Sequence, residues 1–318
     1  HGNSKGTRTI LSYFFIFDIP FIVEKGCVRM IKQLQNLLER RVDELVNNKK
    51  SKDRKVVRKL ELLNKRNAQL LRTKAKGKVR KKNETDQRTE IKYDVHFLYV
   101  IKQKDSVIVE EEVEERTAVF YNGKLMSDKE SVPEQANAGK FLKFTSDETN
   151  DLTRQTYIYD RLKAVQYAER WWNDYNPAFH KFTDDCTNYI SQCLYAGGAP
   201  MRGYPNRSQG WWYRGDNWSY SWAVAHSLRW YLGTSKTGLR AREVADPREL
   251  QLGDVICYDF EGDGRFNHNT IVTAKDANGM PLVNAHTSNS RMRYWSYEDS
   301  TAYTENIQYK FFTIVDDS

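Results

Sequence analysis

The sequence has little cysteine and no long uninterrupted hydrophobic run, and each shortage excludes a class of protein. Its four cysteines, Cys27, Cys186, Cys193 and Cys257, are spread over 318 residues, too few and too irregular for a small scaffold held by disulfides. No two of them form the C-x-x-C pair of a structural zinc site. Cys186 and Cys193 are seven residues apart, which on a helix is too far for a bridge. We therefore predict free thiols, no metal and no cofactor.

One apolar segment, ILSYFFIFDIPFIV at residues 10–23, is the candidate for membrane insertion or targeting. Asp18 and Pro20 interrupt it, and it is too short to span a bilayer. It follows the basic sequence KGTR, as the hydrophobic region of an export signal would. Two interpretations stay open, an export signal and buried N-terminal structure.

Composition divides the chain in two. All eight tryptophans lie between Trp171 and Trp295, whereas lysine and arginine are concentrated in the first third. A polar segment rich in turn formers, residues 122–139, separates the two regions. Because the chain is also longer than one hydrophobic core usually supports, we predict two domains, at residues 1–145 and 150–318.

The first domain has the pattern of a helical hairpin followed by strands. Apolar residues recur at helical spacing over residues 29–47 and again over 56–71, on either side of NNKKSKD. Residues 91–120 are rich in β-branched and aromatic side chains, with a Lys-Asp-Ser turn between two runs. This order predicts a small α+β module.

A basic stretch covers residues 49–82 and contains sixteen Lys and Arg against Asp53 and Glu61, a local charge of +14. Such a density attracts polyanions, and an acidic wall polymer or an anionic membrane surface is the expected partner. The alternative is a solvated helix face. We do not expect nucleic acid, because no recognised binding motif or aromatic stacking pattern interrupts the basic residues.

The sequence TDDCTNYISQC, residues 183–193, places Cys186 in the first turn of a predicted helix. Thr183, Asp184 or Asp185 can serve as its N-cap, and Gly197 ends it. Free amides and the helix dipole favour a thiolate at this position, although the aspartates oppose it unless they point away. The alternative is a small core residue, which describes Cys193 well.

A base for this thiol is available in the segment 250–274, where His268 opens a predicted strand. The next strand, after the turn DANG, alternates so that Leu282, Asn284 and His286 share one face. We expect the side chains of Asn284 and His286 both to face His268 across the pair of strands. One of them would accept the imidazole N–H and fix its tautomer.

These motifs, in this order, resemble the putative amidase domain of Gram-positive bacteria, a relative of NlpC-type and CHAP papain-like cysteine hydrolases. The resemblance covers about residues 155–318, and its most specific segments are AVQYAERWWNDYNP, DCTNYISQCLYAGGAPM and PLVNAHTSNSRMRYW. It implies an α+β fold with a papain-like core, in which a helix packs on an antiparallel sheet. The N-terminal module is outside the resemblance and is similar to an NTF2-like cone.

The resemblance also implies roles. Cys186 would be the nucleophile, His268 the general base that later protonates the leaving amine, and Asn284 the orienting residue, with His286 as the alternative. The oxyanion would be held by the Cys186 backbone N–H and a second donor that the sequence does not identify. We therefore predict a cysteine amidohydrolase that cleaves an amide or peptide bond in peptidoglycan through a thioester, outside the cell or at the cell wall. The alternative is a non-catalytic module that binds wall glycan or peptide.

Two further predictions concern the surroundings of the thiol. In the aromatic loop of residues 210–222, Trp211, Trp212 and Trp218 are candidates for substrate binding, together with Asp185, whereas Trp222 and Trp230 are assigned to packing. The sequence around Asp259 has alternating acids like a calcium loop, but Thr270 replaces the closing acid. A polar strand connection is the alternative.

Overall fold

The computed structural model describes residues 16–18, 25–131 and 156–317. Its elements, in chain order, are β1 Ile16–Asp18, α1 Lys25–Val46, α2 Arg54–Lys65, β2 Ala68–Glu84, β3 Arg88–Gln103, β4 Ser106–Tyr121, β5 Lys124–Glu130, α3 Arg161–Trp171, α4 Cys186–Ala196, β6 Tyr213–Arg214, β7 Asn217–Trp218, α5 Tyr220–Ala223, α6 Ala225–Thr234, β8 Arg240–Val244, β9 Val255–Asp259, β10 His268–Lys275, β11 Pro281–Ala285, β12 Ser290–Tyr294 and β13 Gln308–Val315. This is an α+β fold with a large, mostly antiparallel sheet, as predicted.

The helical hairpin is confirmed, but its second helix is shorter than predicted. Helix α2 starts at the N-cap Asp53, whose carboxylate accepts the N–H of Lys55, and ends at Lys65. Asn67 then adopts a positive φ of 53° and the chain turns into β2. From Arg72 onward the pattern has a period of two, with buried Thr73, Ala75 and Gly77 separated by exposed basic residues. The helical spacing assigned to residues 66–71 is therefore wrong.

Three long antiparallel strands, β2, β3 and β4, form the sheet of the N-terminal half. The predicted Lys-Asp-Ser turn between β3 and β4 is confirmed, with Lys104 at φ 52°. Helices α1 and α2 cover one face of this sheet and share a hydrophobic core with it. The predicted linker is wrong over residues 124–130, which form β5 beside β4.

The apolar segment of residues 10–23 is described only at β1, which pairs in parallel with β2. The rest of that segment lies outside the described residues, as do residues 132–155. The predicted division at residues 145–150 therefore stays a prediction. Among the residues that the structure describes, no helix is long and apolar enough to cross a membrane.

One sheet runs through both halves of the chain. Its order is β1-β2-β3-β4-β12-β11-β10-β9-β13-β8, and the two halves join where Ser290 and Arg291 of β12 pair with Glu112 and Glu111 of β4. In the C-terminal half, α3 and α4 pack against β10 on one face. A second apolar cluster, which includes Tyr258 and Tyr297, lies on the other face. The face on which a residue of β10 or β11 lies therefore decides what it can contact.

Buried ion pairs connect the two halves beside this junction. Lys59 of α2 binds Glu110 of β4 and also Asp299, with 2.8 Å between Nζ and the Asp299 carboxylate. Lys55 lies 2.7 Å from the carboxylate of Glu114. All of these side chains are nearly inaccessible to solvent. The interpretation of the basic stretch as a solvated helix face is therefore wrong for Lys55 and Lys59, because they pair with carboxylates in the interior.

Candidate active site

Helix α4 begins at Cys186, as predicted, but its cap differs from the prediction. The backbone N–H groups of Asp185 and Cys186 both donate to the hydroxyl oxygen of Thr287, at 3.0 and 3.1 Å. Asp185 occupies the N-cap position without capping the helix through its side chain. Thr287 lies on the loop after β11 and has a positive φ of 77°, a conformation that is rare for a β-branched residue. A distant loop therefore caps the helix of the proposed nucleophile.

The Cys186 thiol is buried, and its surroundings favour the protonated form. The sulfur lies 3.6 Å from the Thr187 hydroxyl and receives the backbone N–H of Asn269. Burial raises the pKa of the Cys186 thiol, the carboxylates of Asp184 and Asp185 add to the rise, and the two hydrogen bonds only partly oppose it. The expected stabilisation of a thiolate at this helix terminus is therefore not present in this conformation.

His268 opens β10, as predicted, and its ring is buried on the face of Tyr258 and Tyr297. Its Nε2 lies 3.4 Å from the Tyr297 hydroxyl. Burial, with a contribution from the Arg293 charge, lowers the pKa of His268 to about 3. The ring is therefore neutral at neutral pH, and in this conformation it is a weaker base than an exposed imidazole.

Cys186 and His268 are neighbours without a direct contact. The sulfur lies near the backbone N–H of Asn269, the residue that follows His268, and this N–H lowers the pKa of the thiol. Within the described ranges, however, no hydrogen bond joins the Cys186 sulfur to the imidazole. The structure therefore brings the thiol to the strand end that carries the base, and the side chains themselves stay apart.

The expectation that Asn284 orients His268 is wrong in this structure. Asn284 pairs with Ile271, an odd number of positions from His268, so it lies on the opposite face of the sheet. Its amide nitrogen donates to Glu169 at 2.8 Å, and its carbonyl oxygen accepts from the Thr273 hydroxyl at 2.9 Å. Both ends of the carboxamide are occupied by structural contacts.

His286 shares that face and does not reach His268 either. Its Nδ1 lies 2.8 Å from the carboxylate of Asp185, and its Nε2 lies 2.7 Å from the backbone oxygen of Trp171. The ring stacks on Tyr189 with 4.0 Å between centroids. His286 therefore contacts the start of α4, where it meets the residue before the nucleophile.

Of the three tryptophans of the aromatic loop that were candidates for substrate binding, the structure leaves one accessible to solvent. Trp211 and Trp212 are buried, so their assignment to a groove is wrong. Trp218 is partly exposed, stacks on His180 and packs edge-on against Phe182, in the segment that leads into Cys186.

The structure also shows the exposure of the remaining tryptophans and the hydrogen bonds of the loop at Asp259. Trp222 is buried, as predicted, whereas Trp230 is 43% exposed and its assignment to packing is wrong. The Asp259 carboxylate accepts the backbone N–H groups of Gly262, Asp263 and Gly264. Those contacts hold the loop that was compared with a calcium loop, and the described residues contain no cluster of acidic, histidine or cysteine side chains that could hold a metal.

Two residues near the thiol had no signal in the sequence. Thr287 is an ordinary threonine in the loop HTSN, and only its fold position brings it to the α4 terminus. Tyr297 contacts His268. Burial, with a contribution from the nearby Cys186 sulfur, raises the pKa of the Tyr297 phenol to about 12. Neither has a spacing or motif that would have distinguished it.

Comparison with known proteins gives two kinds of match. Residues 158–312 match the model of a family described as "Putative amidase domain". The chain is 52% identical over 309 residues to the uncharacterized protein YhbB of Bacillus subtilis, covering 92% of this chain and 98% of that protein. It is also 30% identical over 140 residues to the uncharacterized protein YjcM of the same organism, covering 41% of this chain and 31% of that protein. No solved structure gives a significant match.

Proposed function

Because the chain belongs to the same family as YhbB and its residues 158–312 match the putative amidase domain, we propose that it is a cysteine amidohydrolase with Cys186 as nucleophile and His268 as base. The observation that carries this proposal is the position of the Cys186 sulfur, at the start of α4 and against the amide that follows His268. A helix that begins with the nucleophile and packs on a strand that begins with the base is the arrangement expected of a papain-like core.

In the proposed reaction the His268 ring turns toward Cys186 and takes the thiol proton. The hydrogen bond to Tyr297 is long, at 3.4 Å, but the turn must also move the buried ring out of its packing against Tyr258 and Tyr297. The sulfur then attacks the amide carbon, and the carbonyl oxygen becomes an oxyanion. His268 returns the proton to the leaving amine as the C–N bond breaks. Water finally hydrolyses the thioester to a carboxylate and restores the thiol.

The oxyanion would be held by the backbone N–H groups of Asp185 and Cys186. Both now point at a single oxygen, the hydroxyl of Thr287, so an oxygen of the substrate could replace it with the same two donors. The amide of Asp185 is thus our candidate for the second donor.

For the substrate we propose a peptide or amide bond of peptidoglycan. The partly exposed ring of Trp218, supported by His180 and Phe182, lies beside the segment that enters Cys186. Such a flat surface suits the backbone of a short peptide or the face of a sugar. An enzyme with this substrate would work outside the cell or at the cell wall.

The N-terminal half would hold the enzyme on an anionic wall polymer or membrane surface. Within the described chain, Arg72, Lys74 and Lys78 of β2 are exposed and form no ion pair, unlike the buried lysines of α2. They lie on one face of the strand, with about 7 Å between Arg72 and Lys74 and about 14 Å between Lys74 and Lys78. A row of cations at this spacing is suited to a linear polyanion.

Digestion of purified wall fragments tests the proposed reaction. The wild type should release a new carboxylate and a new amine, identified by mass spectrometry, and Cys186→Ala should release neither. Cys193→Ala is the matched control, because Cys193 lies on the same helix and is also buried. Equal activity of wild type and Cys186→Ala would contradict the proposal.

A non-catalytic binding module is the second candidate, favoured by the raised pKa of the Cys186 thiol and the absence of a hydrogen bond to His268 among the described residues. In that case wall fragments would bind the wild type and Cys186→Ala equally, and no product would appear with either.

A further inference from the structure

We propose that His286 is a positioning residue that cancels the negative charge of Asp185 next to the nucleophile and so keeps the Cys186 thiol able to ionise. This inference rests on the proposed role of Cys186. It gives His286 a different task from the one expected from the sequence, because the ring acts on the nucleophile helix and not on His268.

The first step of the argument concerns the hydrogen-bond partners of the ring. Nδ1 faces a carboxylate oxygen of Asp185 at 2.8 Å, and Nε2 faces the backbone oxygen of Trp171 at 2.7 Å. A backbone oxygen can only accept, so Nε2 carries a hydrogen. A neutral ring would then present a bare Nδ1 to a bare carboxylate, and two acceptors would repel each other at this distance. One additional proton must therefore lie between Nδ1 and Asp185.

The second step concerns charge. The Asp185 carboxylate by itself adds to the rise of the Cys186 pKa, and the extra proton, on whichever of the two groups it lies, offsets that charge. The other carboxylate oxygen of Asp185 accepts the N–H of Phe182 at 3.0 Å and the side-chain amide of Asn188 at 2.9 Å. Every hydrogen-bonding position of the pair is therefore occupied by groups that hold Asp185 in one orientation.

The third step concerns the neighbours of the pair and of the thiol. The His286 ring is packed between Tyr189 and Tyr175, at 4.0 and 4.9 Å between centroids, and both phenols are neutral near neutral pH because burial raises the pKa of each. Beside the thiol, Asp184 is the other nearby carboxylate, and Tyr297 is a neutral phenol. Asp185 is therefore the charge whose cancellation depends on His286.

A double-mutant cycle tests the proposal, with the rate of Cys186 alkylation by iodoacetamide as a function of pH as the readout. The variants are His286→Asn, Asp185→Asn and the two combined, and peptide mass spectrometry separates Cys186 from Cys193. In His286→Asn the carboxylate is uncompensated, so the thiol pKa should rise by about one unit and alkylation near neutral pH should slow about tenfold. In Asp185→Asn the pair stays neutral, and the profile should remain within about threefold of wild type.

The combined variant is decisive. If charge is the cause, removing the carboxylate from His286→Asn should restore the wild-type profile. If His286 only packs the helix, the combined variant should be as slow as His286→Asn or slower, and that result would overturn the proposal. A wild-type profile for His286→Asn would overturn it as well.

Folding of each variant is checked by circular dichroism. Should His286→Asn fail to fold, a folded combined variant supports the proposal and an unfolded one contradicts it. The readout does not need a substrate. The wall digestion therefore tests whether the protein is an amidase, and the alkylation profile separately tests whether His286 acts on the Cys186 thiol.

Discussion

The buried lysine at the junction of the two halves offers a quantitative test of how they are held together. Lys59 lies in α2, and its ammonium binds Asp299 and Glu110 while it packs 4.5 Å above the centre of the Tyr99 ring. Lys59→Met keeps the aliphatic stem and removes the charge. Two buried carboxylates then lose a cationic partner, and among the described residues only Asp299 keeps another one, Arg293.

The expected cost follows from this arrangement. Removing one member of a buried, hydrogen-bonded ion pair costs about 3–5 kcal/mol, because the remaining charge stays in the interior. The cost should also depend on pH. Burial already raises the pKa of Glu110 despite Lys59, and without Lys59 it rises further, so Glu110 takes up a proton as the pH falls. The deficit of the variant should therefore be largest at neutral or higher pH and shrink in acid.

The stability of the wild type itself should decrease in acid. Although burial opposes its ionisation, Arg293 and Lys59 hold the pKa of Asp299 below its ordinary value. That ion pair stabilises the native state at any pH above the ordinary pKa of an aspartate, about 3.9. Its contribution is lost as the pH falls from there toward the folded-state pKa.

Urea denaturation at about pH 8 and about pH 5 measures the pH dependence of the Lys59→Met deficit, and the same experiment on the wild type below about pH 4 measures the loss of the Asp299 contribution. Lys65→Met is the control, because Lys65 lies on the same helix, pairs with Glu298 and is largely exposed. Its loss should cost below about 1 kcal/mol. A cost for Lys59→Met no larger than that of the control, or one that does not shrink in acid, would refute the reasoning.

Three further outcomes are expected. Thr287→Val removes the acceptor of two backbone N–H groups and should lower the free energy of unfolding by about 1–3 kcal/mol. Thr287→Ser keeps a hydroxyl and should lower it less. Equal urea denaturation curves for the wild type and the valine variant would contradict the capping role of Thr287. Trp218→Ala should raise KM for wall peptides by about two- to tenfold and change kcat less, and an unchanged KM in steady-state kinetics would remove it from the substrate site. Replacing Arg72, Lys74 and Lys78 by glutamine should abolish salt-sensitive binding to anionic wall polymer and to anionic vesicles, and binding that is unchanged or insensitive to salt in cosedimentation would disprove the docking role.

Local patterns in the sequence predicted several elements well. The amphipathic spacing of residues 29–47 identified α1, and the first turn of α4 at Cys186 and the opening of β10 at His268 were also found. The helical spacing is predicted only as far as Leu71, but the basic alternation from Arg72 onward, whose period of two belongs to β2, is not identified as a strand. Lysine and arginine occur in both helices and strands, so the high density of basic residues did not indicate the change from helical spacing to a period of two.

The site was harder to predict because it depends on register. Alternation correctly placed Asn284 and His286 on a common face, but which residue of β10 they oppose is set by the hairpin and by a bulge after Val272. A shift of one residue exchanges the faces, and His268 therefore lies on the other side. The contact between Thr287 and the α4 terminus joins residues about a hundred positions apart, which no local pattern encodes.

The central claim is that the Cys186 sulfur becomes acylated during the reaction. Wild-type protein quenched in acid while it digests wall fragments should carry the acyl part of the substrate on the peptide that contains Cys186. That added mass should be absent from Cys186→Ser, which should also release no product. Undiminished hydrolysis by the serine variant, or hydrolysis by the wild type with the acyl group on another residue, would contradict the account.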